Sequence, residues 1–390
     1  MTLPALTLGV GREVVLPRAA EAMVWSGVGQ PLACVAVPGV LLRPGDVLVE
    51  VELATVCGSD VHTVLGHRSA AKPLVLGHEQ IGRIVAVTER SYAANGMPLR
   101  VGQRVVWSVA VSCGTCPRCR RGVPQKCLEL VKYGHERMQR GWELSGGFAS
   151  HVQVRGGTAV VVVDEQVPAT VLAPASCATA TVVAALGAAS ALLPLAGATV
   201  LVTGGGMLGV TACAMATDAG ALVLVSDPDP VRRQLALAFG AAAVADPGAP
   251  RESPTGVASV LAALQDAGAA EPTIALELSG ARLAVQTVID LIGIGGVVVL
   301  VGSVSPGEPV LLDPESIVRR LITVRGVHNY TPDDLQQAVT YLRGAWHRHP
   351  FSALVGTTFP LEKADAALTL AATARHPRVG IIPQQPATLG

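Results

Sequence analysis

From residue 22 to about 175 the chain consists of short apolar stretches, DVLVEVELATV and GRIVAVTE among them, separated by Gly and Pro. Alternation of apolar and polar positions puts one set of side chains on one face, which predicts short strands joined by turns. From about residue 176 the texture changes. TVLVTGGGMLG, LVLVSDPDP, AAAVAD, TIALELSG and GGVVVLVG follow one another, with Ala-rich stretches of helical length between them. Parallel strands buried on both faces read as continuous apolar runs. Strands alternating with helices predict βαβ units around a parallel sheet. After Leu321 the pattern turns mixed again, so the chain is expected to return to its first domain. The expected class is α/β: a β-rich domain over 1–177 and 326–390, and a doubly wound parallel-sheet domain over 178–325.

The segment from 182 to 225 is apolar enough for a membrane span to be weighed. Gly187, Pro194 and Gly197 interrupt it, Gly204 to Gly209 read as a turn, and Asp218 lies inside it. It therefore reads as buried helices and strands, and no membrane partner is expected. The N-terminal stretch MTLPALTLGVGREVVLPRAA lacks a basic n-region and a long apolar h-region, so no signal peptide is read and a cytoplasmic location is expected.

With 390 residues, 50% hydrophobic and 15% charged, the chain has material for two buried cores and is far from a disordered composition. Lys+Arg and Asp+Glu are both 29, giving a formal net charge of +0, and there is no basic block. Nucleic acid is not an expected partner. A small anion needs only a local basic pocket and stays open.

Gly204, Gly206 and Gly209 form G-x-G-x-x-G directly after the apolar run TVLV, with Met207 and Leu208 between the last two glycines. An Ala-rich helix follows, and Asp227 ends the next apolar run. In that setting the first glycine permits the tight turn, the second lets backbone approach a pyrophosphate, and the third lets helix and strand pack closely. Free N–H groups at the helix start attract the phosphates. Asp227 is expected to accept from the adenosine ribose, which favours NAD over NADP. Arg232 and Arg233, close by, weaken that preference.

SCGTCPRCRRGVPQKC holds Cys113, Cys116, Cys119 and Cys127, four of eight cysteines. Disulfides or a closed metal site both fit, and a reducing compartment favours metal. A second constellation is spread along the chain. VCGSDVH carries Cys57, Ser59, Asp60 and His62; VLGHE carries His78 and Glu79; APASCATAT carries Cys177. Two thiols and an imidazole form a ligand set that suits zinc and leaves a fourth position open. Cys34 and Cys213 remain, and both read as packing residues.

CGSDVH, GHE, the four-cysteine run, GGGMLG and Asp227 occur in an order and at intervals that resemble the zinc-dependent medium-chain alcohol dehydrogenase family over nearly the whole chain. The resemblance implies a GroES-like catalytic domain and a Rossmann nucleotide domain. It implies a structural zinc held by Cys113, Cys116, Cys119 and Cys127 in a lobe at about 112–128. It implies a catalytic zinc on Cys57, His78 and Cys177, two Zn²⁺ per chain in all. Asp60 then orients the histidine ligand, Glu79 approaches the metal, and Ser59 and His62 relay the alcohol proton. NAD takes the hydride, and Gly204, Gly206, Met207, Leu208, Gly209, Asp227 and Arg232 contact it. A homodimer or homotetramer is also implied, with the strand near ITVRGV as a pairing edge.

For the substrate, LVKYGHERMQRGWELSGGFASHVQV supplies Lys132, His135, Arg137 and Arg140, and HTVLGHRSAAKP adds His67, Arg68 and Lys72. Arg and Lys clamp phosphate-like groups. KYGHE, SGGFASHVQV and APASCATATVVAAL further resemble a subgroup of alcohol dehydrogenases associated with phosphonate metabolism. The expected substrate is therefore a small, anionic, hydroxyalkyl phosphonate-like alcohol, with Arg68, Lys132 and His135 contacting it. The alternatives are a polyol or amino-alcohol dehydrogenase of the sorbitol or threonine type, and a non-catalytic nucleotide-binding protein.

Overall fold

The computed structural model describes residues 11–248, 257–305 and 307–383. The reading of the N-terminus rests partly on residues 1–10, which lie outside the described residues. The chain divides into two compact units, Met1–Cys177 with Thr331–Arg343 and Ser352–Gly390, and Ala178–Tyr330 with Gly344–Phe351.

The first unit is mostly antiparallel. An eight-stranded sheet runs in the order Val355–Pro360, Arg378–Ile382, Val47–Thr55, Glu79–Val87, Arg104–Val111, Val131–Lys132, with His151–Val154 and Thr158–Val162 pairing off this path. A three-stranded sheet joins Ala33–Leu42, Arg12–Trp25 and Leu74–Val75. Glu79–Val87 alternates buried and half-buried positions along its second half, as its EQIGRIVAV pattern dictates. The core between the layers is built on Trp107, Trp142, Tyr133 and Phe148 among valines from several strands.

The second unit is a six-stranded sheet in the order Ala243–Ala245, Leu222–Ser226, Thr199–Thr203, Ile274–Glu277, Val297–Leu300, Thr323–Gly326, every pair parallel. Strand order reverses at Thr199–Thr203, the arrangement that opens a crevice beyond the carboxyl ends of the strands. The stretch 182–225 resolves into parts of the helices Ala178–Ser190 and Met207–Asp218 and the strands Thr199–Thr203 and Leu222–Ser226. No single helix among the described residues is long and apolar enough to cross a membrane; one bent pair, Ala169–Ser176 with Ala178–Ser190, has the length and composition.

Two expectations are corrected. The chain rejoins the first unit at Thr331, not at 326, because the pairing with Val297–Leu300 runs on past Gly326 through Val327 N to Leu300 O at 2.9 Å, and a short return, Gly344–Phe351, belongs to the second unit. Cys34 is exposed on an outer strand and is not a packing residue; Cys213 is buried as expected.

Candidate metal centres and nucleotide crevice

The four-cysteine stretch has little core: only Cys127 among its thiols is buried. Its sulfurs nevertheless converge. Cys116 Sγ lies 3.5 Å from Cys119 Sγ and 3.9 Å from Cys127 Sγ, and Cys127 Sγ lies 3.4 Å from Cys113 Sγ. Tetrahedral thiolates around zinc, each at about 2.3 Å, are about 3.8 Å apart, whereas a disulfide needs about 2.05 Å. The thiols are free, and the geometry fits a closed metal site and not paired disulfides. Backbone N–H groups of Cys113 and Glu129 point at Cys127 Sγ at 3.3 Å, and that of Cys116 at Cys113 Sγ at 3.3 Å. Such donors stabilise thiolate. They hold Cys116 down to about 6, with the N–H of Leu128 the largest contributor.

Cys57, His78 and Cys177 also meet, with candidate ligand atoms within 4.8 Å of one another. Each is placed by a backbone feature. Cys57 caps the helix Gly58–Val64. His78 follows Gly77, whose φ of +92° and contact with Phe148 leave no room for a side chain. Cys177 ends a 3₁₀ turn in which Ser176 Oγ donates to His78 O at 3.3 Å. Asp60 organises the group. Its carboxylate accepts from Cys57 N at 2.9 Å and Gly77 N at 3.3 Å, and lies 3.4 Å from His78 Nδ1, an ion-pair contact. Nδ1 therefore faces Asp60 at ion-pair distance without a formed hydrogen bond, while Nε2 lies 3.3 Å from Ser59 Oγ. Burial opposes a charge on His78, but Asp60 and Cys57 outweigh it and hold the imidazole well above its ordinary value. Contact with Cys177 lowers the Cys57 thiol well below its ordinary range, and Cys177 rises in compensation. A site that favours one thiolate beside an oriented imidazole fits a divalent metal.

In the second unit, Gly204 takes φ +94°, and a Cβ there would lie 2.9 Å from Ser279 N. A Cβ on Gly209 would lie 1.8 Å from Gly204 O, so helix and strand touch through backbone. Around Gly206 no atom stands within 4 Å of where a Cβ would point, which is the open approach a pyrophosphate needs. Met207 and Leu208 open the helix Met207–Asp218. Asp227 is 2% exposed and accepts from Gly205 N at 2.7 Å and Asp229 N at 2.8 Å. Arg232 Nη1 lies 3.7 Å from its Oδ2. Arg233 is committed to Asp227 O and to Asp246, so Arg232 is the basic group of the pair beside the carboxylate.

Residues 43–165 match the alcohol dehydrogenase GroES-like domain, and residues 208–343 match the zinc-binding dehydrogenase domain. A geraniol dehydrogenase of Castellaniella defragrans is 30% identical across 90% of this chain and 94% of its own length. The chain belongs to the zinc-dependent medium-chain alcohol dehydrogenase family. An L-threonine 3-dehydrogenase of Anaeromyxobacter is 30% identical across 73% of this chain and 76% of its own. Among solved structures, an alcohol dehydrogenase from Thermotoga maritima superposes with a TM-score of 0.87 at 28% identity, covering 96% of this chain and all of that one. A zinc-binding dehydrogenase from Sinorhizobium meliloti, solved with NADP, gives 0.80 at 25% identity, covering 94% and 99%. The chain is thus an oxidoreductase of the zinc-binding alcohol dehydrogenases, with GroES-like and Rossmann-type domains.

Other residues of this dehydrogenase gather at the Cys57–His78–Cys177 cluster. The His135 ring packs edge-on against His78, centroids 4.8 Å apart. His135 Nδ1 lies 2.9 Å from Tyr133 O, so that nitrogen carries the proton; Nε2 faces Arg68 Nη1 at 3.4 Å. Lys132 is half-buried; burial and the charges of Lys126 and Arg68 lower its ammonium, while Cys177 acts the other way. Arg68, Lys132 and His135 therefore belong to one neighbourhood. Arg137, Arg140, His67 and Lys72 are exposed. His62 is exposed too, 3.3 Å from His67 between their Nδ1 atoms, and no hydrogen bond joins it to Ser59 among the described residues.

Glu79 is completely buried. It forms a bidentate pair with Arg378, Nε to Oε2 at 2.6 Å and Nη2 to Oε1 at 2.7 Å, and accepts from Thr55 Oγ1 at 2.7 Å. Arg378 Nη2 also lies 3.8 Å from Cys57 Sγ. Burial raises the Glu79 carboxyl even beside this cation. Sequence reasoning missed Arg378. Its only trace is a charge entering the last apolar run, RVGII.

Proposed function

We propose that this dehydrogenase uses two zinc ions and NAD to oxidise a small anionic alcohol, with a hydroxyalkyl phosphonate as the model substrate. The observation that carries this reading is the pair of basic side chains Arg68 and Lys132, with the neutral His135 ring between Arg68 and His78, beside the Cys57–His78–Cys177 cluster. Cys57, His78 and Cys177 would hold the catalytic zinc, and the four clustered cysteines the structural one. When bound, zinc supplies a Lewis acid that lowers the pKa of an alcohol hydroxyl, and NAD supplies the hydride acceptor.

The chain's own groups do the rest. Asp60 faces the Nδ1 side of the His78 ring, and Nε2, beside Ser59, is the nitrogen that would ligate zinc once metal displaces its proton. Ser59 Oγ, beside that nitrogen, is placed to take a proton from a bound hydroxyl. In this reading His62, exposed on the same helix and turned toward His67, would pass it to solvent after its ring rotates to Ser59. Arg378 opposes the effect of burial on Glu79 and reaches toward Cys57 Sγ as well. Arg68 and Lys132 bind the anionic end of the alcohol and orient its carbinol carbon. Asp227 favours the free ribose hydroxyls of NAD, with Arg232 as the residue through which NADP would be tolerated.

A threonine-type reading is the strongest rival. A relative carries that activity in its name, and a carboxylate would meet the same basic side chains. The proposal extends to a homodimer or homotetramer paired through the exposed edge strand Thr323–Gly326, and to a reducing, cytoplasmic setting that keeps the thiols free.

The test is NADH formation by zinc-loaded protein offered 2-hydroxyethylphosphonate, threonine, geraniol, sorbitol and simple primary alcohols. Saturable preference for the phosphonate, lost in Arg68→Gln and Lys132→Gln through KM, supports the reading. Preference for geraniol or sorbitol overturns the anionic substrate while leaving the dehydrogenase chemistry intact.

A further inference from the structure

Three arginines surround a second concavity of the first unit. A cavity of about 430 Å³ is lined by Arg43, Arg90 and Arg155, with Asp46, Pro44, Val111 and glycine backbone completing its walls. It adjoins another of about 400 Å³, lined by Val47, Tyr92, Leu99, Val154 and Val160; the two share Gly45, Arg90, Arg155 and Gly157. None of these residues belongs to the metal clusters or the nucleotide crevice.

The walls are firmly built. Asp46, 3% exposed, ties the turn at 43–46 to the turn at 155–157. Its Oδ1 accepts from Gly156 N at 2.8 Å, and its Oδ2 accepts from Arg43 N at 3.0 Å and Gln153 Nε2 at 2.9 Å. A Cβ on Gly45 would stand 3.0 Å from Gly156 Cα, so the two turns touch through backbone. Thr88 Oγ1 and Ser91 Oγ donate to Asp46 O at 2.7 and 3.2 Å. The one acid lining the cavity is therefore committed to backbone and amide donors.

The arginines are not neutralised. No carboxylate lies within ion-pair distance of Arg43, Arg90 or Arg155 among the described residues, whereas Arg83 and Arg104, on the same unit, each hold a glutamate. Arg155 is braced: its backbone N donates to Tyr133 Oη at 2.9 Å, and its guanidinium stands 4.6 Å from the centre of the Trp142 ring. Arg90 sits at φ +62°, in the left-handed region that glycine enters without strain. Strained backbone of this kind clusters at ligand clamps. Like charges around one concavity repel one another, and a bound anion reverses the sign of that interaction.

We infer that this cradle binds a small molecule bearing a phosphoryl group, phosphate or phosphonate, on an apolar or planar body. The three guanidinia take the anionic head through charge-assisted, fork-like hydrogen bonds. The adjoining cavity takes the body, with the half-exposed Tyr92 ring at its rim.

Titration calorimetry on the full zinc-loaded chain tests this, with phenyl phosphate as the probe and inorganic phosphate and phenol as its separate halves. Phenyl phosphate is expected to bind saturably, about tenfold tighter than inorganic phosphate because its ring is also buried. Arg43→Gln and Arg90→Gln should each weaken it about fivefold or more, the loss of one charge-assisted contact, and the double variant should abolish it. Arg90→Gly separates binding from folding: it should lose the same affinity while its melting temperature rises, since glycine relaxes the left-handed turn. The inference is overturned by an absence of saturable binding, by Arg43→Gln and Arg90→Gln variants that bind like the parent, or by binding that NADH or Arg68→Gln removes.

Discussion

Arg378 and Glu79 show how much one residue can settle. The guanidinium is 7% exposed, the carboxylate fully buried, and two short hydrogen bonds join them. Breaking such a pair leaves an uncompensated buried charge, worth about 3–5 kcal/mol. Arg378→Met is expected to lower the denaturation midpoint accordingly and to reduce zinc retention, because Cys57 loses its neighbouring cation. An unshifted midpoint contradicts that account. His135 gives a pH-dependent counterpart. Burial, reinforced by the charge of His78, pushes it down to about 4 from an ordinary 6.5. The unfolded chain then binds the extra proton between those values, so stability falls as pH drops through that window. His135→Gln should flatten the acid limb of a stability–pH curve between pH 6.5 and 4; an unchanged limb assigns it to other groups. At this scale the metal-ligand types were legible because thiols and imidazoles at such spacings have few other uses. Arg378 was not, since an arginine in a strand reads the same whether it is paired inside or solvated outside.

Short elements form the candidate nucleotide crevice and the four-cysteine lobe. Gly206 and Gly209 begin the helix Met207–Asp218, yet they do different work. Gly209→Ala puts a methyl 1.8 Å from Gly204 O, so the helix must shift; overpacking of this kind costs about 1–3 kcal/mol. Gly206→Ala meets no atom within 4 Å. It should leave the melting temperature almost unchanged and weaken NADH about tenfold by crowding the pyrophosphate. Equal stability losses in both variants would undo this division of labour. The lobe at 112–128 behaves differently. With one buried thiol and little apolar packing, its order is expected to rest on the proposed structural zinc. Chelation or Cys127→Ser should open it to protease while the six-stranded sheet of the second unit keeps its melting transition. The strand and helix texture of both units was readable from periodicity. The exact return at Thr331 was not, because the loop at 327–330 after the edge strand belongs to the second unit through contacts such as Val327 N to Leu300 O, which no local pattern encodes.

At the scale of the whole molecule, metal content is the decisive quantity. Purified chain is expected to carry about two zinc ions, one of them lost in Cys57→Ala or His78→Ala together with turnover, while NADH binding persists. One zinc or none in the parent would remove the catalytic assignment. The sequence by itself determined the family, the two kinds of domain, the glycine-rich turn and both sets of candidate ligands. These follow from local order: periodicity, glycine placement and cysteine spacing are all written along the chain. Tertiary structure alone decided what lies next to what. It brought Cys177 to Cys57, at 4.0 Å between sulfurs and 120 positions apart, and it delivered Arg378 to Glu79 from 299 positions away. It also gathered Arg43, Arg90 and Arg155 around one cavity. Such meetings depend on how the strands pair and close, and no local pattern encodes that pairing, because the burial energy behind it is shared among residues from every part of the chain.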